Sequence, residues 1–329
     1  MAAAHVCPRQ AVKVLVTGAS GFIGRPLTAA LAEAGYQVRA AVRDPRTQGL
    51  PPGVEVARQP DLGSPVSWPP LAAGMDAVVH LAGIAHVGSE IPEASYERAN
   101  HLATAELACA AAAARVRRFV FISSIRAQTG PAANAPLSET DEPRPTDAYG
   151  RSKLAAEAAV RAAGAPYTIL RPTLVYGRGV KGNVASLLRL AALPLPLPFG
   201  ALSNRRSLLA LDNLIAAVRF ALEDARAANE TFIVADPKAI SVAEFVSILR
   251  AAMGRKPWLV PVPTGLLSAM LKVVRRRAMI ERLTGALIAE PRKLMNAGWQ
   301  PVIDIETAIT RMVQAASPRK SGTASRSTP

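Results

Sequence analysis

Cysteine is nearly missing from this chain: Cys7 and Cys109 are the two in 329 residues. They lie far apart and have no metal-type spacing, which excludes a disulfide framework and fits a reducing, cytoplasmic location. Histidine is also scarce, and His5, His80, His86 and His101 are scattered without a zinc pattern. Aromatic residues make up 5% of the chain. None are interleaved with the basic residues as a nucleic-acid stacking platform requires, so nucleic acid is not the expected partner. The formal charge of +15 then reads as a solvated, Arg-rich surface, with attraction to anionic substrates or an anionic membrane as the weaker alternative. Nowhere do 18 uncharged apolar residues run together, so no membrane span is expected. The first ten residues lack the apolar core of a secretory signal.

What the chain does have is an opening that organises the rest. The apolar run Val12-Lys13-Val14-Leu15-Val16 leads into Thr17-Gly18-Ala19-Ser20-Gly21-Phe22-Ile23-Gly24, and a helical pattern starts at once. A short apolar run bounded by glycine reads as a buried strand. Gly18 allows a sharp turn, Gly21 allows close approach of a ligand, and Gly24 allows the helix to pack on the strand. The helix N-terminus directs N–H groups at a pyrophosphate. Placed between a strand and a helix, the glycines point to a dinucleotide site.

Strand and helix then alternate. Strands are expected over 37–42, 54–57, 76–83, 118–124 and 167–171, and helices over 97–114 and 148–163. This alternation means crossover units and a doubly wound parallel sheet covered on both faces, with ligands beyond the carboxyl ends of the strands. The character changes after Arg171. Residues 193–200 form an extended, proline-broken connector. Helices are expected over 211–223, 241–253 (with Ser241 as N-cap), 266–276, 279–288, 291–297 and 305–315, and a strand over 231–234.

Chemistry is expected at Tyr149-Gly150-Arg151-Ser152-Lys153. Residues four apart share a helix face, so Tyr149 and Lys153 point to one site. A nearby ammonium lowers the phenol's pKa, making the pair an acid/base for an oxygen whose carbon exchanges a hydride. Ser124, at the end of the fifth strand, can hydrogen-bond the same oxygen.

These three motifs resemble the extended short-chain dehydrogenase/reductase superfamily, and within it the nucleotide-sugar epimerase/dehydratase branch. The resemblance runs from about Val12 to Val313. It implies a Rossmann fold with a smaller C-terminal α/β substrate-binding lobe. A dinucleotide-binding domain would cover 11–178, with 205–235 returning to it. The lobe would take 179–204 and 236–315, between a flexible 1–10 and a disordered basic tail at 316–329. It further implies Ser124, Tyr149 and Lys153 as the catalytic set, with Lys153 also holding the nicotinamide ribose. Asp61 and Leu62 would line the adenine pocket. Leu81, Ala82 and Gly83 would meet the ribose and pyrophosphate, Asn100 would support the active site, and Pro172 would pass under the nicotinamide. Asn183 and Arg206 match residues that contact the diphosphate of a UDP-linked sugar. A homodimer through a four-helix interface, built from 97–114 and 148–163, is implied as well.

The second strand ends Ala41-Val42-Arg43-Asp44, without the acid that bonds a ribose 2′-OH at position 42. Arg43 suits a 2′-phosphate, which favours NADP(H) over NAD(H). A 4,6-dehydratase of this branch would carry Asp-Glu after the serine; Ile125-Arg126 stands here. Residues 196–214 resemble bacterial reductases of UDP-4-keto-6-deoxy-N-acetylhexosamines, which serve surface polysaccharide synthesis. The expected activity is hydride transfer at C4 of a UDP-hexose, as 4-keto reductase or 4-epimerase. A reductase of a non-sugar ketone (hydroxysteroid or flavonoid type) and a non-catalytic dinucleotide sensor remain as alternatives.

Overall fold

Short apolar runs set between amphipathic helices produce a seven-stranded sheet in which every pairing is parallel. The structure is a computed structural model, and it describes residues 11–85, 91–263, 265–266 and 285–316. The strands are β1 (Lys13–Thr17), β2 (Gln37–Val42), β3 (Glu55–Arg58), β4 (Ala77–His80), β5 (Arg118–Ile122), β6 (Tyr167–Pro172), β7 (Leu174–Tyr176), β8 (Arg205–Arg206), β9 (Leu208–Ala210), β10 (Glu230–Val234) and β11 (Ile240–Ser241). The main sheet has the order β10-β6-β5-β4-β1-β2-β3, while β7 pairs with β9 and β11 with β8. The order reverses between β1 and β4. In such sheets the crevice at the strand carboxyl ends opens at that point.

The helices among the described residues are α1 (Gly24–Glu33), α2 (Pro69–Ala72), α3 (Glu93–Tyr96), α4 (Ala103–Ala113), α5 (Ala148–Ala162), α6 (Gly182–Ala191), α7 (Leu211–Glu223), α8 (Val242–Ala252), α9 (Arg292–Asn296) and α10 (Ile305–Ala316). Successive strand residues enter opposite cores. Val14, Val16, Val120 and Ile122 pack with α1 and α7 through Leu27, Leu31, Leu214 and Val218. Leu15, Val78, Phe119 and Phe121 pack on the other face with Leu107 and Ala111 of α4 and Ala156 and Val160 of α5. The period of two explains why both faces demand cover. A separate core joins Val184 and Ala191 of α6, Leu197, Phe199 and Leu202 of the connector, Phe245, Val246 and Leu249 of α8, and Ile309 and Met312 of α10.

The expected helix over 97–114 differs in one respect. It begins at α3 and passes through a π-helical turn, Glu97–Leu102, before α4. The helix expected over 279–288 does not reach its end. Leu287 makes a bridge with Arg206 and its N–H donates to the Arg205 carbonyl, so this stretch is extended. The rest of that helix, most of 266–276, the segment 1–10 and the tail from 317 lie outside the described residues. Ser241 caps α8 as expected, with Glu244 completing a reciprocal capping box. No helix among the described residues is long and apolar enough to cross a membrane.

Candidate active site

The first turn is shaped for a phosphate group. Gly18 has a φ of +69°, and a Cβ there would stand 3.0 Å from the Ala82 nitrogen of the neighbouring strand end. A Cβ on Gly24 would meet the Gly18 carbonyl oxygen at 2.2 Å, so only glycine lets α1 approach β1 this closely. Ser20, Gly21, Phe22 and Ile23 form the bend between them, and the Phe22 and Ile23 N–H groups have no partner in the described chain. Free N–H groups at a helix start suit a pyrophosphate. Gln59 was not expected here. Its side-chain oxygen accepts the Gly18 N–H at 2.7 Å, and its own N–H donates to the Val42 carbonyl, tying the turn to the end of β2.

Around the rim, Arg43 is exposed just past β2 and makes no side-chain bond to a described residue, whereas Asp44 is engaged by Arg46 and Thr47. Asp61 is exposed and accepts the Gly63 N–H, and the Leu62 carbonyl accepts from Arg98. Ala82 is buried and Leu81 half-buried, with both N–H groups donating to Thr17 Oγ1. Pro172 is buried at the end of β6.

Ser124, Tyr149, Lys153, Asn100 and Gly83 converge beyond β4 and β5. Asp147 caps α5 by accepting the Gly150 N–H at 2.7 Å, which starts the helix so that Tyr149 and Lys153 fall one turn apart. The Arg126 N–H donates to Ser124 Oγ, and the Ser124 hydroxyl in turn donates to the Tyr149 oxygen. Lys153 is buried; its Nζ donates to the Ile122 carbonyl at 3.0 Å and lies 4.7 Å from the centre of the Phe121 ring. A Cβ on Gly83 would come within 3.9 Å of Lys153 Nζ and 2.6 Å of Asn100 Oδ1, so backbone approaches this site where a side chain would fill it. Asn100 sits in the π-helical turn. Its Oδ1 accepts the Ile84 N–H at 2.7 Å, and its Nδ2 donates to the Ile84 carbonyl and Ser152 Oγ. The wider turn presents this side chain to the β4 loop.

The electrostatics correct one expectation. Lys153 was to lower the Tyr149 pKa. Instead, burial dominates and raises it, partly offset by the Ser124 hydrogen bond. The cation among its leading influences is Arg126, which pairs with Asp147 at 2.5 Å. Burial also lowers Lys153 to about 8, against the attraction of Glu157. Burial disfavours both charged forms, and that outweighs their four-residue spacing.

The sequence reading also missed the supports behind the site. Glu157 is fully buried and accepts Ser123 Oγ at 2.7 Å, Arg171 Nε at 2.8 Å and Arg171 Nη2 at 2.6 Å. Arg171 also bonds Gln128. His80 links Thr17 Oγ1 at 2.7 Å to Thr104 Oγ1 at 2.9 Å, and Thr104 donates to the Asn100 carbonyl. The available signal was position: Glu157 lies one turn past Lys153, and Arg171 directly precedes Pro172.

Of the two expected substrate residues, Asn183 is exposed in the first turn of α6. Arg206 is half-buried and already donates to the carbonyls of Gly285 at 2.6 Å and Pro131 at 2.9 Å. Among the described residues no cluster of His, Cys, Asp and Glu could hold a metal.

The chain is similar to known proteins in sequence and in fold. Residues 14–235 match the model of the NAD dependent epimerase/dehydratase family. The chain is 33% identical over 315 residues to a UDP-glucose 4-epimerase of Vibrio cholerae, covering 92% of this chain and 94% of that one. It is 29% identical over 305 residues to a ceramide reductase of Caulobacter vibrioides, covering 88% and 86%. Among solved structures, MoeE5 in complex with UDP-glucose and NAD superposes with a TM-score of 0.73 at 25% identity, covering 92% of this chain and 98% of that one. On its glycine turn, its parallel sheet and these matches, the chain belongs to the NAD-dependent epimerase/dehydratase family of extended short-chain dehydrogenases.

Proposed function

We propose that the protein transfers a hydride at C4 of a UDP-hexose or UDP-N-acetylhexosamine, as a 4-keto-sugar reductase or a UDP-sugar 4-epimerase, in surface polysaccharide synthesis. The observation that carries this reading is the hydrogen-bonded chain from Arg126 N–H through Ser124 to Tyr149, beside the buried Lys153. Tyr149 exchanges the proton of the sugar's C4 oxygen, and Ser124 orients that oxygen when substrate replaces Tyr149 as the acceptor of its hydroxyl proton. Lys153 holds the ribose of the cofactor, while the Ser124 hydrogen bond and the nearby Arg126 favour the phenolate against burial. A bound nicotinamide supplies the hydride acceptor and donor. The cradle fits such a group, because the Gly18–Gly24 turn and Gly83 leave backbone where a Cβ would intrude. The exposed Arg43 favours NADP(H), since its guanidinium is free to pair with a 2′-phosphate. The 97–114 and 148–163 helices serve as the dimer faces.

The test is incubation with UDP-sugars and UDP-4-keto-sugars, with and without added NADPH. Stoichiometric NADPH loss marks a reductase, and product formed without added cofactor marks an epimerase. Failure of both overturns the nucleotide-sugar reading. Replacing Tyr149 by Phe is expected to lower kcat by about 100-fold or more while cofactor binding is kept; survival of turnover refutes the acid/base role.

A second reading, reduction of a non-sugar ketone, is favoured by one observation. Arg206 spends both terminal nitrogens on backbone carbonyls, which weakens it as a diphosphate clamp. The likeness to a ceramide reductase points the same way. NADPH oxidation driven by a long-chain ketone, with no turnover of UDP-sugars, selects it.

A further inference from the structure

Two long stretches of this chain hold positive charge only. Residues 158–211 and 245–280 contain no Asp or Glu, yet each contains seven Lys or Arg. The fold brings parts of both stretches together. The Leu197 N–H donates to the Trp258 carbonyl at 3.1 Å, the Val260 N–H donates to the Leu197 carbonyl at 2.9 Å, and the Gly200 N–H donates to the Val260 carbonyl at 3.0 Å. The buried Arg250 fastens them from behind. Its Nη2 donates to the carbonyls of Leu193 at 2.9 Å and Leu195 at 2.5 Å, and its Nη1 donates to the Pro257 carbonyl at 3.0 Å.

The outer side of this fastened pair is apolar. Leu193 is 41% exposed, Leu195 56%, Trp258 59% and Val260 43%. Trp258 has a φ of +43°, a conformation that a bulky residue adopts only when its surroundings impose it. The backbone on either side is pinned by the Leu197 and Arg250 hydrogen bonds, and the indole is exposed. Arg255 and Lys256 stand exposed beside Trp258, and Arg189 stands exposed in the last turn of α6. None of these three cations is ion-paired with a described residue.

We propose that this face is a docking surface for an anionic lipid bilayer. An exposed indole with leucines fits the headgroup boundary, where the ring buries its body and keeps its N–H wet. The exposed Arg189, Arg255 and Lys256 beside it complement acidic headgroups. Leu193, Leu195, Trp258 and Val260 are four of the ten large hydrophobic residues exposed among the described residues, and apolar surface rimmed by polar residues marks an interaction site. The face lies at the far end of α6 from Asn183. Docking therefore leaves the candidate active site open and concentrates the enzyme at a membrane. The proposal is independent of the substrate assignment.

The experiment is flotation of the full chain with vesicles of phosphatidylcholine alone, or with about one third phosphatidylglycerol. The expected bound fraction is about ten-fold higher on the anionic vesicles and falls with added salt. The Leu195→Glu/Trp258→Glu variant is expected to lose that gain, as is the Arg255→Glu/Lys256→Glu variant, with turnover of a soluble substrate unchanged. A second readout needs no variant. Trp68 and Trp299 are buried, so an emission blue shift on anionic vesicles reports Trp258 alone. Four outcomes overturn the proposal: no binding, equal binding to neutral vesicles, wild-type binding by the double variants, or an unshifted indole. Binding to duplex DNA that the patch variants lose, with vesicles ignored, reassigns the face to another polyanion.

Discussion

His80 has one protonation state available to it in the folded chain. Thr17 Oγ1 already accepts two N–H groups, from Leu81 and Ala82, so its hydroxyl donates to His80 Nδ1. Nε2 then carries the proton and donates to Thr104, whose hydroxyl is spent on the Asn100 carbonyl. Burial, and then the nearby Lys153, lower the ring's pKa to about 3, and a second ring proton would meet an occupied partner. The sign of the pH effect follows. Between pH 6.5 and about 3 the unfolded chain binds a proton that the native chain refuses, so acidification through that window removes stability. His80→Gln keeps one acceptor and one donor but cannot titrate. Urea unfolding at pH 7 and pH 5 is expected to show wild type losing about 2 kcal/mol more than the variant. Equal losses would mean that water reaches the ring. In the sequence His80 looked like one of four scattered histidines without a role. Nothing local distinguishes a strand-end histidine whose two partners lie 63 and 24 residues away.

Helix α5 was the most legible element, and the reason is local. The Asp147 cap, the Tyr149–Lys153 spacing and the alanine-rich body all lie within one stretch, and its expected end differs from the observed one by a single residue. The π-helical turn at Asn100 was not legible. Its alanine-rich surroundings favour an ordinary helix, and the departure arises because Asn100 bonds the β4 loop and Ser152 of α5. Likewise, the partners of Glu157 are visible only in three dimensions. This carboxylate joins α5 to Ser123 beside Ser124, and to Arg171 beside Pro172. Glu157→Gln leaves Arg171 as a buried charge without its counterion, and the expected cost is about 3–5 kcal/mol in chemical denaturation. Glu157→Gln combined with Arg171→Met removes the buried pair, leaves the part-exposed Arg161 to solvent, and should recover much of that stability. A double variant no more stable than the single one would show that packing, not charge, is lost.

At the scale of the whole molecule, the sheet was legible because each βα unit is contiguous, and period-two burial forces helices onto both faces. The second core was implied only as a lobe by the resemblance, and its packing was not legible, because it gathers the connector, α8 and α10 from positions spread over more than a hundred residues. Around the glycine turn, Gly18, Ala82 and Lys153 were named from the motifs and the resemblance, and Gln59 was missed because its bond to Gly18 spans 41 residues. A ligand that bridges these segments binds the native chain and not the unfolded one, so it raises the melting temperature by mass action. At about 100 times Kd the gain is about 2.7 kcal/mol, several degrees for a domain of this size. Arg43 is exposed and makes no side-chain bond to a described residue, so replacing it by Ala should not disturb the fold. The expected result is a larger thermal shift with NADP(H) than with NAD(H) at equal concentration in wild type, and loss of that difference in Arg43→Ala. A larger shift with NAD(H) in wild type would instead place the ribose 2′-OH against Asp44, with Arg43 left in solvent.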